Sequence, residues 1–243
     1  MMVVLSTGLL FLTDVMAQSS PATVATVHAS PDARRLRTGH FTYRILDHGK
    51  NVGTGTITIQ KIPNSGNYAF AAEFSGYADQ KWESIATSAF EPVSARLSFG
   101  KATSSTPAFA LKYTGRRVTG FAISRKKSDL GIRRSIDAAL PANTVDQRID
   151  WAAVLASHLE TGQQFEFNVY DPGTGISRVV AQVGSLERVQ VPAGTFDAYR
   201  VMYRIEKAGE TEQYQVLASR DRPRVMVREE FSNGTASDLI EVK

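Results

Sequence analysis

Polar and apolar residues alternate along most of this chain, and most cleanly from Val189 to Ile205. Val189 and Val191 alternate with polar neighbours; then Tyr199, Val201, Tyr203 and Ile205 alternate, with Arg200 and Arg204 on the other side. A period of two means a pleated strand with one buried face. Between the two runs stands Pro192-Ala193-Gly194. Proline fixes φ near the value a first turn position needs. Glycine takes the left-handed conformation that ends a three-residue hairpin in a bulge. The stretch predicts a β-hairpin.

The same pattern recurs on both sides of it. Phe41, Tyr43 and Ile45 alternate, as do Ile57 and Ile59, then Tyr68, Phe70, Ala72 and Phe74. Phe109, Leu111 and Tyr113 repeat the pattern, and further runs lie at 165–169, 176–183, 213–218, 224–231 and 238–242. Turn signals such as Pro63-Asn-Ser-Gly66, Asp171-Pro-Gly173 and Asn233-Gly234 separate them. About a dozen short strands with turns every 8–12 residues or so have the spacing of a sandwich or barrel. Repeats of fixed length are not visible, which disfavours a propeller or solenoid.

One segment has the other period. Thr144 and Gln147 fit a capping box, and Ile149, Trp151, Val154, Leu155 and Leu159 follow at helical spacings. Gly162 is placed to end the helix in a left-handed C-cap. About 14 residues at 1.5 Å each give roughly 20 Å, enough to lie across a sheet face.

The chain begins with a different logic. Val3 to Met16 is mostly apolar and leads to Val15-Met16-Ala17, whose Val and Ala suit signal peptidase at −3 and −1. Residues 1–17 read as a signal peptide, although the start has no Lys or Arg and Asp14 interrupts the run. Residues 18–37, rich in Ser, Ala, Thr and Pro, read as a flexible leader, and 38–243 as a single β-rich domain. After cleavage no apolar run is long enough for a membrane-spanning helix. The expected location is the periplasm or the exterior.

Composition narrows the chemistry. The 243 residues contain no cysteine, which excludes disulfides, thiol catalysis and thiolate metal sites. The four histidines, His28, His40, His48 and His158, lie too far apart in sequence for a local metal pair. No nucleophile elbow, Walker loop or dinucleotide fingerprint occurs. Glu73, Asp79, Glu83 and Glu91 are near enough to cluster as hydrolytic carboxylates, though they also fit an ordinary solvent face. From Lys112 to Arg134 there are eight basic residues and one acid, Asp129. Lys112, Arg116, Arg117, Arg125, Lys126, Lys127, Arg133 and Arg134 make either a solvated rim or a patch for anionic partners. Nucleic acid is a poor partner for an exported chain, and this segment lacks interleaved aromatics.

The run Val191-Pro-Ala-Gly-Thr-Phe-Asp-Ala-Tyr-Arg-Val201 resembles a bacterial family of exported proteins, domain of unknown function 3108. Phe41-Thr-Tyr43 with Gly53 and Gly55, the Asp150–Leu155 helix between the halves, and Arg222-Pro-Arg-Val225 are similar to it as well. The resemblance covers about 40 to 243. It implies a strongly curved antiparallel sheet in the cell envelope, an open half-barrel like those of lipoprotein carriers, and no catalytic residues. The expected fold is thus mainly β, with one covering helix near 145–160. The expected function is non-catalytic and without cofactor or metal. A lipid, glycan or other anionic or amphiphilic envelope ligand would lie in the curved-sheet groove, against Trp82, Trp151 and the basic residues above. The alternatives are a secreted hydrolase using dispersed carboxylates and a structural or assembly partner.

Overall fold

Residues 26–28, 30–76, 79–100, 106–124, 128–207 and 209–243 are described by the computed structural model. The signal peptide expected over 1–17, and Arg125, Lys126 and Lys127, lie outside them. The first short strand is β1 (Thr26–His28). A meander follows: β2 (Gly39–Asp47), β3 (Lys50–Lys61), β4 (Asn67–Ser75), β5 (Gln80–Thr87), β6 (Pro92–Phe99), β7 (Thr106–Thr114), β8 (Arg117–Ile123) and β9 (Arg133–Ala139). Then come β10 (Thr144–Asp146), a 3-10 turn (Gln147–Ile149) and the helix α1 (Asp150–Leu155). A second meander completes the chain: β11 (Gln164–Asp171), β12 (Gly175–Val191), β13 (Gly194–Lys207), β14 (Glu210–Ser219), β15 (Met226–Phe231) and β16 (Thr235–Val242).

All sixteen strands belong to one sheet, in which β16 pairs with β2 and so joins the two meanders. Every pairing is antiparallel except those of β1 and β10, which run parallel to β11. Among the described residues no ladder joins β9 to the β11 side, so the sheet is barrel-like but not closed by hydrogen bonds. Six register shifts bend it, for example between Val183 and Leu186 and between Leu239 and Glu241. An extra residue on one strand kinks that strand and raises its twist, which is how a sheet this long curls.

The alternation read from the sequence sets the inner face. Phe41, Tyr43, Ile45, Ile57, Ile59, Phe70, Val201, Tyr203 and Ile205 are all buried there. The hairpin at Val191 is tighter than expected. Val191 pairs directly with Gly194, leaving a two-residue turn with no bulge, and Gly194 sits at φ +132 rather than in the left-handed helical well.

The helix is shorter than its periodicity predicts, and its position explains why. Thr144 does not cap it. Thr144 pairs with Asn168 in β11, and its hydroxyl donates to the Pro141 carbonyl at 2.9 Å. Asp146 caps the 3-10 turn instead, accepting from the Arg148 N–H at 3.2 Å. Gly162 lies beyond the helix and donates to the Val183 carbonyl. All six residues of α1 are buried. A helix buried on every side is an internal helix, so α1 fills the curled sheet rather than covering one face.

The leader expected over 18–37 is folded in its second half. Thr26–His28 extends the sheet, and Ala33 and Leu36 are fully packed. Asp32 N–H donates to the Ala156 carbonyl, and Arg37 N–H to that of Arg224. Two apolar side chains in a polar stretch gave too little periodicity to reveal this.

Candidate functional site

The open seam of the sheet is bridged by side chains. Tyr113 of β7 donates to Asp146 Oδ2 at 2.7 Å. Arg148 donates to both oxygens of Asp146 at 2.5 Å and to Asp171 of β11 at 2.8 Å. Its guanidinium also lies 4.6 Å from the centre of the Phe109 ring. Burial opposes the Arg148 charge, but Asp146 and Asp171 outweigh it and keep the cation firmly protonated. Burial, reinforced by Asp146, pushes the Tyr113 hydroxyl up, so it stays a donor. A buried pair with its lone pairs satisfied in this way fixes geometry more than it adds stability.

Beside this bridge lies a cleft of about 780 Å³. Its walls are the 87–93 turn, the 113–116 turn and the 140–145 linker, with Ser30 and Pro31 at one margin. Phe90, Phe167, Val145 and Ala153 of α1 give it apolar surface, and Arg116 and Glu91 stand exposed at its rim. Volumes of 300–1,000 Å³ or so, mostly apolar with few polar groups, are typical of small-molecule sites.

Of the residues singled out by sequence for binding or hydrolysis, Arg116 and Glu91 are the ones among the described residues that line this cleft. Trp82 and Trp151 are core residues, 7% and 6% exposed. Trp151 donates its indole N–H to the Arg148 carbonyl at 3.1 Å. Neither tryptophan is open to a groove, because α1 occupies the space a groove would need. Lys112 and Arg117 are exposed on the outer face, where Arg117 pairs with Asp137 at 2.6 Å. Arg133 stacks 3.8 Å above Phe121, and Arg134 pairs with Asp129. The four acids considered for hydrolysis disperse: Glu73 pairs with Lys81, Glu83 with Arg96, Asp79 accepts from the Gly76 N–H, and Glu91 stands at the cleft rim. His158 is exposed beyond the helix end, 3.3 Å from Arg222.

Sequence reading missed three charged groups inside the barrel. Asp150 opens α1, is fully buried and accepts from the Trp151 N–H at 2.6 Å. Burial pushes its carboxyl up to about 7. The Tyr214 hydroxyl beside it offsets part of that shift, yet it is buried without a well-formed hydrogen bond. Glu229, half-buried on β15, is pushed up to about 8 by burial and then by Asp150 and Glu212. Arg224 donates to the Leu155 and Ser157 carbonyls at 2.9 and 2.8 Å and so caps the end of α1. Burial, with Arg222 and Arg35 nearby, brings it down to about 10. A signal existed for Glu229, which takes an inward position in the alternation Val225, Val227, Glu229, Phe231.

The family model for domain of unknown function 3108, proteins of unknown function, matches residues 39–240. The chain belongs to this family. The DUF3108 chain is also similar in fold to a β-barrel-like protein of domain of unknown function 1849 from Brucella abortus. The TM-score is 0.52 at 9% identity, over 89% of this chain and 98% of that one. A Bacteroides fragilis protein of YmcC-like fold aligns more loosely, with TM-score 0.35 and 13% identity over 88% and 99% of the two chains. No curated protein matches the DUF3108 chain.

Proposed function

We propose that this DUF3108 protein is an exported, non-catalytic component of the bacterial cell envelope that binds an amphiphilic or anionic ligand, a lipid or a glycan, in the seam cleft. The cleft of about 780 Å³ carries the reading: it joins an apolar floor to a charged rim where Arg116 and Glu91 stand. Export is supported by the apolar start ending in Val15-Met16-Ala17, whose Val and Ala suit signal peptidase. Glu91 is the one carboxylate among the described lining residues, whereas glycoside hydrolysis uses two. That favours binding over hydrolysis.

Native mass spectrometry of gently purified protein tests the proposal. The wild type carries a lipid or glycan adduct. Ala142→Trp, which fills the cleft from an exposed wall position, loses it, and Arg116→Glu weakens it. A bare mass for the wild type, or equal adducts on A142W, refutes the reading.

A further inference from the structure

The apex of the β8–β9 hairpin displays the two most exposed large apolar side chains among the described residues, Leu130 at 71% and Ile132 at 54%. Scattered exposed apolar residues are normal. These two differ because the turn that presents them is braced. Ser124 N–H donates to the Ile132 carbonyl at 2.9 Å, and Gly131 N–H to the Ser124 carbonyl at 2.8 Å. Ile132 N–H donates to the Asp129 carbonyl at 3.1 Å, while the Asp129 carboxylate receives Arg134 and the Ser128 hydroxyl. The apolar surface continues down the outer face through half-buried Ile123 and Phe121, over which Arg133 lies. Lys112 and Arg117 share that face, and Arg116 stands at the opposite end of β8. Lys112, Arg116 and Arg133 form no ion pair among the described residues.

From this arrangement we propose that the β8–β9 tip docks the protein onto an anionic phospholipid bilayer, with Leu130 and Ile132 entering the headgroup boundary and Arg133 and Lys112 meeting lipid phosphates. The proposal rests on the exported location argued above. Exposed apolar groups beside unpaired cations on one face match an interface that is anionic outside and apolar within. A soluble polyanion would use the charges and leave the aliphatic apex without a role. Each basic residue near such a surface contributes about fivefold in affinity, and burial of an aliphatic side chain about tenfold or more.

Sedimentation with vesicles is the test. Wild-type protein should bind phosphatidylglycerol vesicles, bind phosphatidylcholine vesicles far more weakly, and release in high salt. Leu130→Ser with Ile132→Ser should lower affinity for the anionic vesicles at least tenfold. Lys112→Gln with Arg133→Gln should lower it roughly 25-fold at low salt. Each variant keeps the wild-type N-terminus, so a loss reports on the tip. Circular dichroism confirms that each variant is folded. A142W should keep full vesicle affinity while losing the cleft adduct, so the two proposals fail separately. Equal binding by L130S/I132S and wild type would overturn the proposal, as would indifference to lipid charge. Binding to soluble acidic glycan but not to vesicles would overturn it too.

Discussion

Replacing Asp150 by Asn should make the protein more stable at pH 8 and leave it unchanged near pH 4. Asp150 is fully buried at the start of α1, and burial moves its carboxyl from 3.8 up to about 7. The folded pKa is raised, so the unfolded chain releases this proton first. Stability is complete below about pH 4 and declines as pH rises towards 7, where the folded state ionises as well. A difference of about three pKa units is worth about 4 kcal/mol. That is a large share of the 5–15 kcal/mol or so expected for a whole domain. Asn keeps an oxygen to accept from the Trp151 N–H, bonded at 2.6 Å, and removes the ionisation. It also takes away one of the charges that push Glu229 up, so the Glu229 pKa should come down. Urea denaturation at pH 4.5, 6.5 and 8 measures the effect. The wild-type midpoint should fall with pH over this range, and the D150N midpoint should fall less, the remaining slope coming from Glu229, which burial still holds up. Equal slopes for the two proteins would refute the reasoning. So would a wild-type stability that is flat from pH 4.5 to 8.

Arg224→Met leaves the Leu155 and Ser157 carbonyls without their donor and should cost about 2 kcal/mol or more in urea denaturation; wild-type stability would contradict the capping role. Tyr113→Phe deletes the bond to Asp146 across the seam. It should cost about 1–2 kcal/mol and speed amide exchange in β10 before other strands, an order that hydrogen exchange resolves. Gly120→Ala is forbidden on two grounds: its φ is +146, and a Cβ there would lie 2.1 Å from the Ala110 carbonyl oxygen. It should cost roughly 3 kcal/mol or more and expose β7 and β8 to limited proteolysis, and a resistant, fully stable variant would refute the clash.

Strands were legible because each presents one face to the core and alternation records that directly. Phe41, Tyr43 and Ile45, or Phe109, Leu111 and Tyr113, were placed on the buried face from sequence and are found there. The helical segment was legible as an apolar run and illegible in length. Thr144 and Val145 fit a helix start locally, but pairing with Asn168 and Val169 held them extended. Tertiary pairing overrides a capping signal that is worth about 1 kcal/mol. The cleft was hidden for a different reason. Its walls come from turns far apart in sequence, Thr87–Val93, Tyr113–Arg116 and Leu140–Val145, and turns carry no periodicity that shows which others they meet. Asp150 was hidden because an acid inside an expected helix reads as an ordinary solvent-face residue, and only burial on every side changes its meaning.

The location of α1 decides where a ligand can sit. A carrier-like groove would need the helix to leave the sheet interior. Ile149, Trp151, Val154 and Leu155 are all buried there. At about 2 kcal/mol for each such side chain, uncovering them costs about 8 kcal/mol, before the Arg224 cap is counted. A ligand of micromolar affinity supplies about the same 8 kcal/mol in total, so it would spend all of its binding energy on expelling the helix. The seam cleft demands no such displacement. Its volume of about 780 Å³ already exists, and α1 contributes Ala153 to its floor. The helix that closes the sheet interior to a ligand therefore helps to build the site beside it.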